Sequence, residues 1–211
     1  HTLAPKVEWD IVAGADERIG QVLATLKELN LDNDTLVLFS SDNGPEITGK
    51  TKQQGDISGL GTFYSVGTTG GLKGRKRSLY AGGVRVPFIV RWPGKTPAGK
   101  IDKTTVVTAV DLLPTFLAAA GVNLPDGYKP DGQNLLSALL GKPTARSKPI
   151  YWEWRGGHSG PMWPALGVRD AQWRLLISDD GRKVELYDIT ADWKEATDVS
   201  ANHPQVVDRL K

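Results

Sequence analysis

The 211-residue sequence predicts an α/β fold: a partly parallel sheet flanked by helices, then a small C-terminal antiparallel sheet with a helix. Three observations point there. A helical periodicity over residues 8–29 runs through a short loop into the apolar stretch TLVLFS, residues 35–40. A second β-rich stretch, VRVPFIVRW at 84–92, follows a long glycine-rich interval. After Pro149 four short β-type runs alternate with turn signals, which divides the chain into residues 1–148 and 149–211. Such alternation of helix and strand followed by a run of strands is the pattern of layered α/β architecture.

Each element has its own reason. Over 8–29, Ile11, Val12, Ala15, Ile19, Val22, Leu23 and Leu26 recur at three- and four-residue steps, and Asn30 is a fair stop. TLVLFS is apolar without alternation, as expected of a buried parallel strand. Residues 44–71 are rich in Gly, Ser and Thr and lack periodicity, which predicts a long irregular loop. Pro87 marks the strand at 84–92 as an edge or a bulge. Asp111 can cap a helix over LLPTFLAAAG, with Pro114 tolerated in its first turn and Gly121 ending it. A short helix follows at 134–140. IYWEW, ALGVRD, WRLLIS and VELYDI read as an antiparallel meander with Asp180-Gly181 as one turn. HPQVVDRLK opens a last helix, with His203 at its surface start.

Composition limits the function classes. With 39% hydrophobic residues the chain can bury a core, and a net charge of +2 argues for neither nucleic acid nor a membrane surface. No apolar run reaches membrane-spanning length, and no signal peptide opens the sequence. The absence of Cys excludes disulfides, thiolate metal sites and a cysteine nucleophile on these residues. Charge is nevertheless uneven. No acid stands between Asp56 and Asp102, where Lys73, Arg75, Lys76, Arg77, Arg85, Arg91, Lys95 and Lys100 lie. The first 56 residues carry ten acids against five bases. The two segments suggest an anion pocket beside a cation, or else a solvated basic face.

The stretch SSDNGPEITGKT, residues 40–51, has two readings. Residues 44–51 fit the phosphate-loop pattern G-x-x-x-x-G-K-[ST], but that loop needs a helix after its Lys-Thr, and Gly55, Gly59 and Gly61 break one. The other half places Asp42 and Asn43 beyond the carboxyl end of a strand, where ligands collect in α/β sheets. Their oxygens suit Ca²⁺ or Mg²⁺; an ordinary tight turn is the alternative.

TLVLFSSDNGP, GGLKGRKRSLYAGGVRVPFIVRWPGKTPAG, TAVDLLPTFLAAAG, DGQNLLSALLG and LGVRDAQWRLL with VELYDI together resemble, in this order, the type I sulfatases of the alkaline-phosphatase-like superfamily. The resemblance covers roughly residues 8–200 and corresponds to the C-terminal half of such an enzyme, so the α/β domain is expected to be incomplete. It implies Asp42 and Asn43 as calcium ligands and Lys76 as the lysine on the sulfate ester. It also implies His1, in HTLAP, as a substrate-contacting histidine able to protonate the leaving group, and Arg85 as a structural arginine. It further implies hydrolysis of aryl or carbohydrate sulfates and a periplasmic or secreted location.

The departures are specific. The family's formylglycine arises from C-x-P-x-R or S-x-P-x-R; this sequence has no Cys, and Ser159-Gly160-Pro161 lacks the Arg. The nucleophile and the remaining acidic calcium ligands are therefore expected on the N-terminal half of the same enzyme, and these residues alone are expected to be inactive. Ala81 stands where an acid usually precedes Gly-Gly. In YWEWRGGHSGPMW, the residues Trp152, Trp154, Arg155, His158 and Trp163 would select a sulfated small molecule or glycan, His158 as a substrate contact, or else pack the small sheet onto the main domain. Two other outcomes stay open: a phosphatase or phosphonate hydrolase of the same superfamily, and a non-catalytic fragment binding anionic glycans. The basic run KGRKR lacks any groove-reading element for nucleic acid.

Overall fold

The computed structural model describes residues 3–45, 68–155 and 163–211. Its first element is helix α1, Leu3–Glu28. Asn30 ends it in a left-handed conformation (φ 57°), and the Leu31 N–H reaches back to the Leu26 carbonyl at 2.8 Å. That is the closure a helix uses to satisfy its last carbonyls. Val12, Ile19 and Val22 on this helix are exposed.

Strand β1, Val37–Ser40, pairs with β2, Phe88–Arg91. The pairing is antiparallel, with Val37 opposite Arg91 and Ser40 opposite Phe88. A parallel neighbour for 35–40 is thus not found among the described residues, and the strand is half-exposed rather than buried. Phe39 and Ile89 face each other across the ladder at 44% and 59% exposure. An unbroken apolar run signals burial but carries no information about a neighbour's direction. The expected strand at 84–92 is also shorter, because Ala81–Val84 form a single helical turn, α2. Pro87, which lacks an N–H, stands just before β2, and its carbonyl accepts the Ser40 hydroxyl at 3.0 Å.

Helices α3, Leu112–Ala119, and α4, Leu136–Leu139, follow. Asp111 does not cap α3 with its side chain. Its buried carboxylate closes a capping box with Thr108 on the preceding 3₁₀ turn, accepts the Gln133 N–H at 2.9 Å, and takes two bonds from Arg146 at 2.6 and 3.0 Å. A charged partner 35 residues away outcompetes the local N–H groups because each charge-assisted bond is worth more than a neutral one.

The C-terminal meander forms as expected. β3 (Ile150–Glu153), β4 (Leu166–Asp170), β5 (Trp173–Ile177) and β6 (Val184–Asp188) lie in that order, all antiparallel. Both faces are covered. Val168, Leu175, Ile177 and Leu186 pack under Val207 and Leu210 of the last helix α5, Pro204–Leu210. Leu176 and Tyr187, on the opposite face, pack under Leu79, with Tyr80, Val84, Trp152 and Trp163 around them. Residues 79–84 therefore serve as the second cover of this sheet, across the 148/149 division. His203 is half-buried, its ring 4.8 Å from that of Trp173.

A buried ion pair ties this cover down. Arg174 Nε lies 2.9 Å from Glu195 Oε1, and Glu195 is fully buried with φ 58°. Arg174 also donates to the Leu79 carbonyl, while Glu195 accepts the Ala81 N–H at 2.7 Å. Removing one partner of such a pair strands the other charge in a dry interior. We expect Glu195→Ala to lower unfolding stability by about 3–5 kcal/mol, read as a fall in the urea midpoint. A change within the error of the denaturation curve would show that the pair does not hold the cover.

Candidate active-site face

At the end of β1 the chain turns out through residues 41–45. Ser41 Oγ donates to the Asn43 carbonyl at 2.9 Å, and the Asn43 N–H donates to Asp42 Oδ1 at 3.0 Å. Asp42 is exposed and Asn43 half-buried. This turn is fastened to the basic segment by main-chain bonds. The Gly44 N–H donates to the Gly83 carbonyl at 2.9 Å, and the Lys76 N–H to the Pro45 carbonyl at 3.1 Å. Within the basic segment the Gly82 N–H reaches the Lys73 carbonyl at 2.7 Å.

Glycine is required at three of these positions by space. A Cβ on Gly44 would overlap the Gly82 carbonyl; one on Gly82 would overlap that of Gly74, and one on Gly83 that of Ser78. Backbone lies directly on backbone here, which only glycine permits. Asp42, Asn43 and Lys76 consequently line one open groove of about 1930 Å³. Two of the sequence-derived roles are thus brought to one place, the oxygen pair and the lysine. His1 and His158 lie outside the described residues, as do residues 46–51 of the phosphate-loop-like pattern.

The oxygens of Asp42 and Asn43 fit a hard cation. They also fall short of a full site: Ca²⁺ takes six to eight oxygens, and no group of three or more His, Asp or Glu residues able to hold a metal occurs among the described residues. The pair is therefore suited to supply part of a shell.

Sequence reasoning missed a polar cluster behind the groove. Lys73 does not simply face solvent. Its Nζ donates to Tyr187 Oη at 2.9 Å, lies 3.4 Å from Glu185 Oε2, and sits 4.2 Å from the centre of the Tyr80 ring. The hydroxyls of Tyr80 and Tyr187 donate to the same Glu185 oxygen at 2.6 and 2.5 Å, and Trp163 Nε1 donates to Tyr80 Oη at 3.0 Å. The signal was present in VELYD, where period-two alternation places Glu185 and Tyr187 opposite Val184 and Leu186. Of the tryptophans, Trp163 has Lys183 Nζ over its ring at 4.0 Å and Trp152 has the Arg174 guanidinium at 5.0 Å. Trp152 and Trp163 pack against the Leu79, Leu176 and Tyr187 cluster, while Trp154 is 39% exposed.

Burial, then the bond to Glu185, pushes both tyrosine hydroxyls far above their ordinary range. Burial also raises Glu185, but the hydroxyl bonds from Tyr187 and Tyr80 and the charge of Lys73 leave it lowered overall. A raised folded-state pKa stabilises below the unfolded value and is lost as pH rises through the folded one. Stability is thus expected to decline above about pH 10, where unfolded tyrosine begins to ionise, and a Tyr80→Phe/Tyr187→Phe variant should flatten that decline. Denaturant midpoints measured across alkaline pH decide it; equal slopes for the two proteins would refute the cluster's role.

Comparison with known proteins gives a consistent result. The Sulfatase family model matches residues 7–122, and that for N-sulphoglucosamine sulphohydrolase, C-terminal, matches residues 74–211. The chain is 31% identical to an N-acetylgalactosamine-6-O-sulfatase of Bacteroides thetaiotaomicron over 95% of its own length and 40% of that protein's. It is 40% identical to human steryl-sulfatase over 64% of its length and 22% of that protein's. Among solved structures, Ps i-CgsB in complex with k-i-k-neocarrahexaose superposes with a TM-score of 0.71 at 30% identity, covering 94% of this chain and 40% of that one. The chain thus spans about two fifths or less of the length of these relatives.

Proposed function

The chain belongs to the sulfatase family, and on that premise we propose that it supplies the sulfate-facing lysine and part of the cation site of an enzyme hydrolysing sulfate monoesters. What supports this most is the main-chain fastening of the Asp42-Asn43 turn to the Lys76 segment, through Gly44 to Gly83 and Lys76 to Pro45. Sulfated glycans are the favoured substrate class, since one relative is named for a sulfated amino sugar and one similar structure holds an oligosaccharide. Neither kind of match favours a phosphatase or phosphonate hydrolase.

The chemistry follows from charge. As the S–O bond breaks, negative charge grows on the leaving oxygen, and positive groups fixed beforehand stabilise that state. Lys76 would set its ammonium against the sulfate oxygens. Asp42 and Asn43 would help hold Ca²⁺, which when bound supplies Lewis-acid charge at those oxygens. Mg²⁺ suits the pair less, because it demands a tight octahedral shell and keeps its water. His1 would donate a proton to the departing alcohol, and His158 would contact the substrate. A formylglycine from the N-terminal half would provide the nucleophile, in a periplasmic or secreted enzyme.

Losing one preorganised positive donor of this kind costs roughly 10²–10³ in kcat. We expect Lys76→Ala in the full-length sulfatase to show that loss on an aryl sulfate with its Ca²⁺ requirement unchanged. Asp42→Ala should instead raise the Ca²⁺ concentration needed for half-maximal rate. Undiminished turnover in Lys76→Ala would remove the lysine from the reaction.

A further inference from the structure

A second cationic corner lies in the same groove, built from residues that the proposed reaction does not use. Arg169 and Arg174 stand directly opposite each other across the β4–β5 ladder, an arrangement in which like charges repel. Arg85 and Arg146 add to the positive field around them. Among the described residues two carboxylates pair with these four guanidiniums, and both are taken. Asp111 is held by Arg146 through both oxygens, and Glu195 is paired with Arg174. Among the described residues, no side-chain hydrogen bond or ion pair reaches Arg85 or Arg169.

Arg85 is exposed and Arg169 half-buried, and both line the groove that Asp42, Asn43 and Lys76 line. Burial first, then repulsion from Arg174, Arg85 and Arg146, drives the Arg169 pKa down. The corner also has an apolar wall: Ile150 is the ladder partner of Arg169, and Trp152 lies against Arg174. A half-buried guanidinium that lines a cavity and has no counter-charge among the described residues can take one negative group. Its planar fork matches sulfate and carboxylate in two-point geometry.

We propose that Arg85 and Arg169 form an oxyanion subsite, which takes a second sulfate or carboxylate group of a ligand lying in the groove. The local charge balance supports this subsite whatever the role of Lys76. The ligand this implies is polyanionic, with one acidic group toward Lys76 and another at this corner.

Sulfate binding by the full-length sulfatase tests it, in a Lys76→Ala background that removes any binding at the lysine. Calorimetric titration with inorganic sulfate at matched ionic strength should show saturable binding. Arg169→Gln should weaken it roughly tenfold or more, the scale of losing a charge-assisted two-point contact, and Arg169→Lys should recover part of the loss. With Lys76 restored, a doubly sulfated monosaccharide should outbind its singly sulfated parent only while Arg169 is present. Unchanged sulfate affinity in both Arg169→Gln and Arg85→Gln overturns the subsite. So does a rise in thermal stability of Arg169→Gln with no loss of affinity, because the guanidinium is then an uncompensated charge and nothing more. If the advantage of the doubly sulfated sugar survives Arg169→Gln, the second group binds elsewhere and the assignment fails.

Discussion

Backbone lying directly on backbone at Gly44, Gly82 and Gly83 is the constraint on which the groove depends. Three stretches of chain, 43–45, 73–78 and 82–83, meet there without intervening side chains, so their separation is set by peptide groups and main-chain hydrogen bonds. Such contacts tolerate little displacement, because an N–H···O bond weakens quickly as its angle or length departs from the optimum. The Asp42-Asn43 turn and the Lys76 segment thus share one rigid reference. Behind them, the Arg174–Glu195 pair holds Leu79 and Ala81 from the sheet side. The placement is fixed from in front by glycine and from behind by a buried charge pair.

Much of this was legible in the sequence. The order of elements, the meander after Pro149, the stop at Asn30 and the Asp42-Asn43 turn all follow from patterns that act over a few residues. The Gly82-Gly83 pair belonged to the most distinctive block, although its reason is close approach and not a left-handed turn. Other features depend on which distant group wins a competition, and local pattern cannot settle that. The antiparallel pairing of β1 with β2 is of this kind. So is Asp111, whose local role as a cap yields to Arg146, and so is Arg174, whose partner Glu195 lies beyond another strand and a loop.

The acid-free basic segment also changes meaning once its residues are placed. Its eight cations do not act together. Lys73 is consumed inside the fold by Glu185 and two tyrosines, Arg91 lies 3.5 Å from Asp32, and Lys95 rests on the Trp92 ring at 5.1 Å. Lys76, Arg77, Arg85, Arg91 and Lys100 line the groove. Sequence charge counts nevertheless overstated the field available to a ligand, because Lys73 and Arg91 are partly offset by Glu185 and Asp32. Electrostatic attraction in such a groove has direction as well as strength.

The sheet β3–β6 has helix α5 on one face and residues 79–84 on the other. Residues 149–211 consequently cannot be treated as an exchangeable module. A chimera that imported this sheet from a relative would bring a new set of side chains against Leu79 and Tyr80, and a new partner for the Ala81 N–H. The Lys76 segment would be re-seated with them. The seating of the Lys76 segment and the foldability of the small sheet are thus inherited together, and recombination in this family should find viable crossovers before residue 71 more readily than at the apparent boundary near 149.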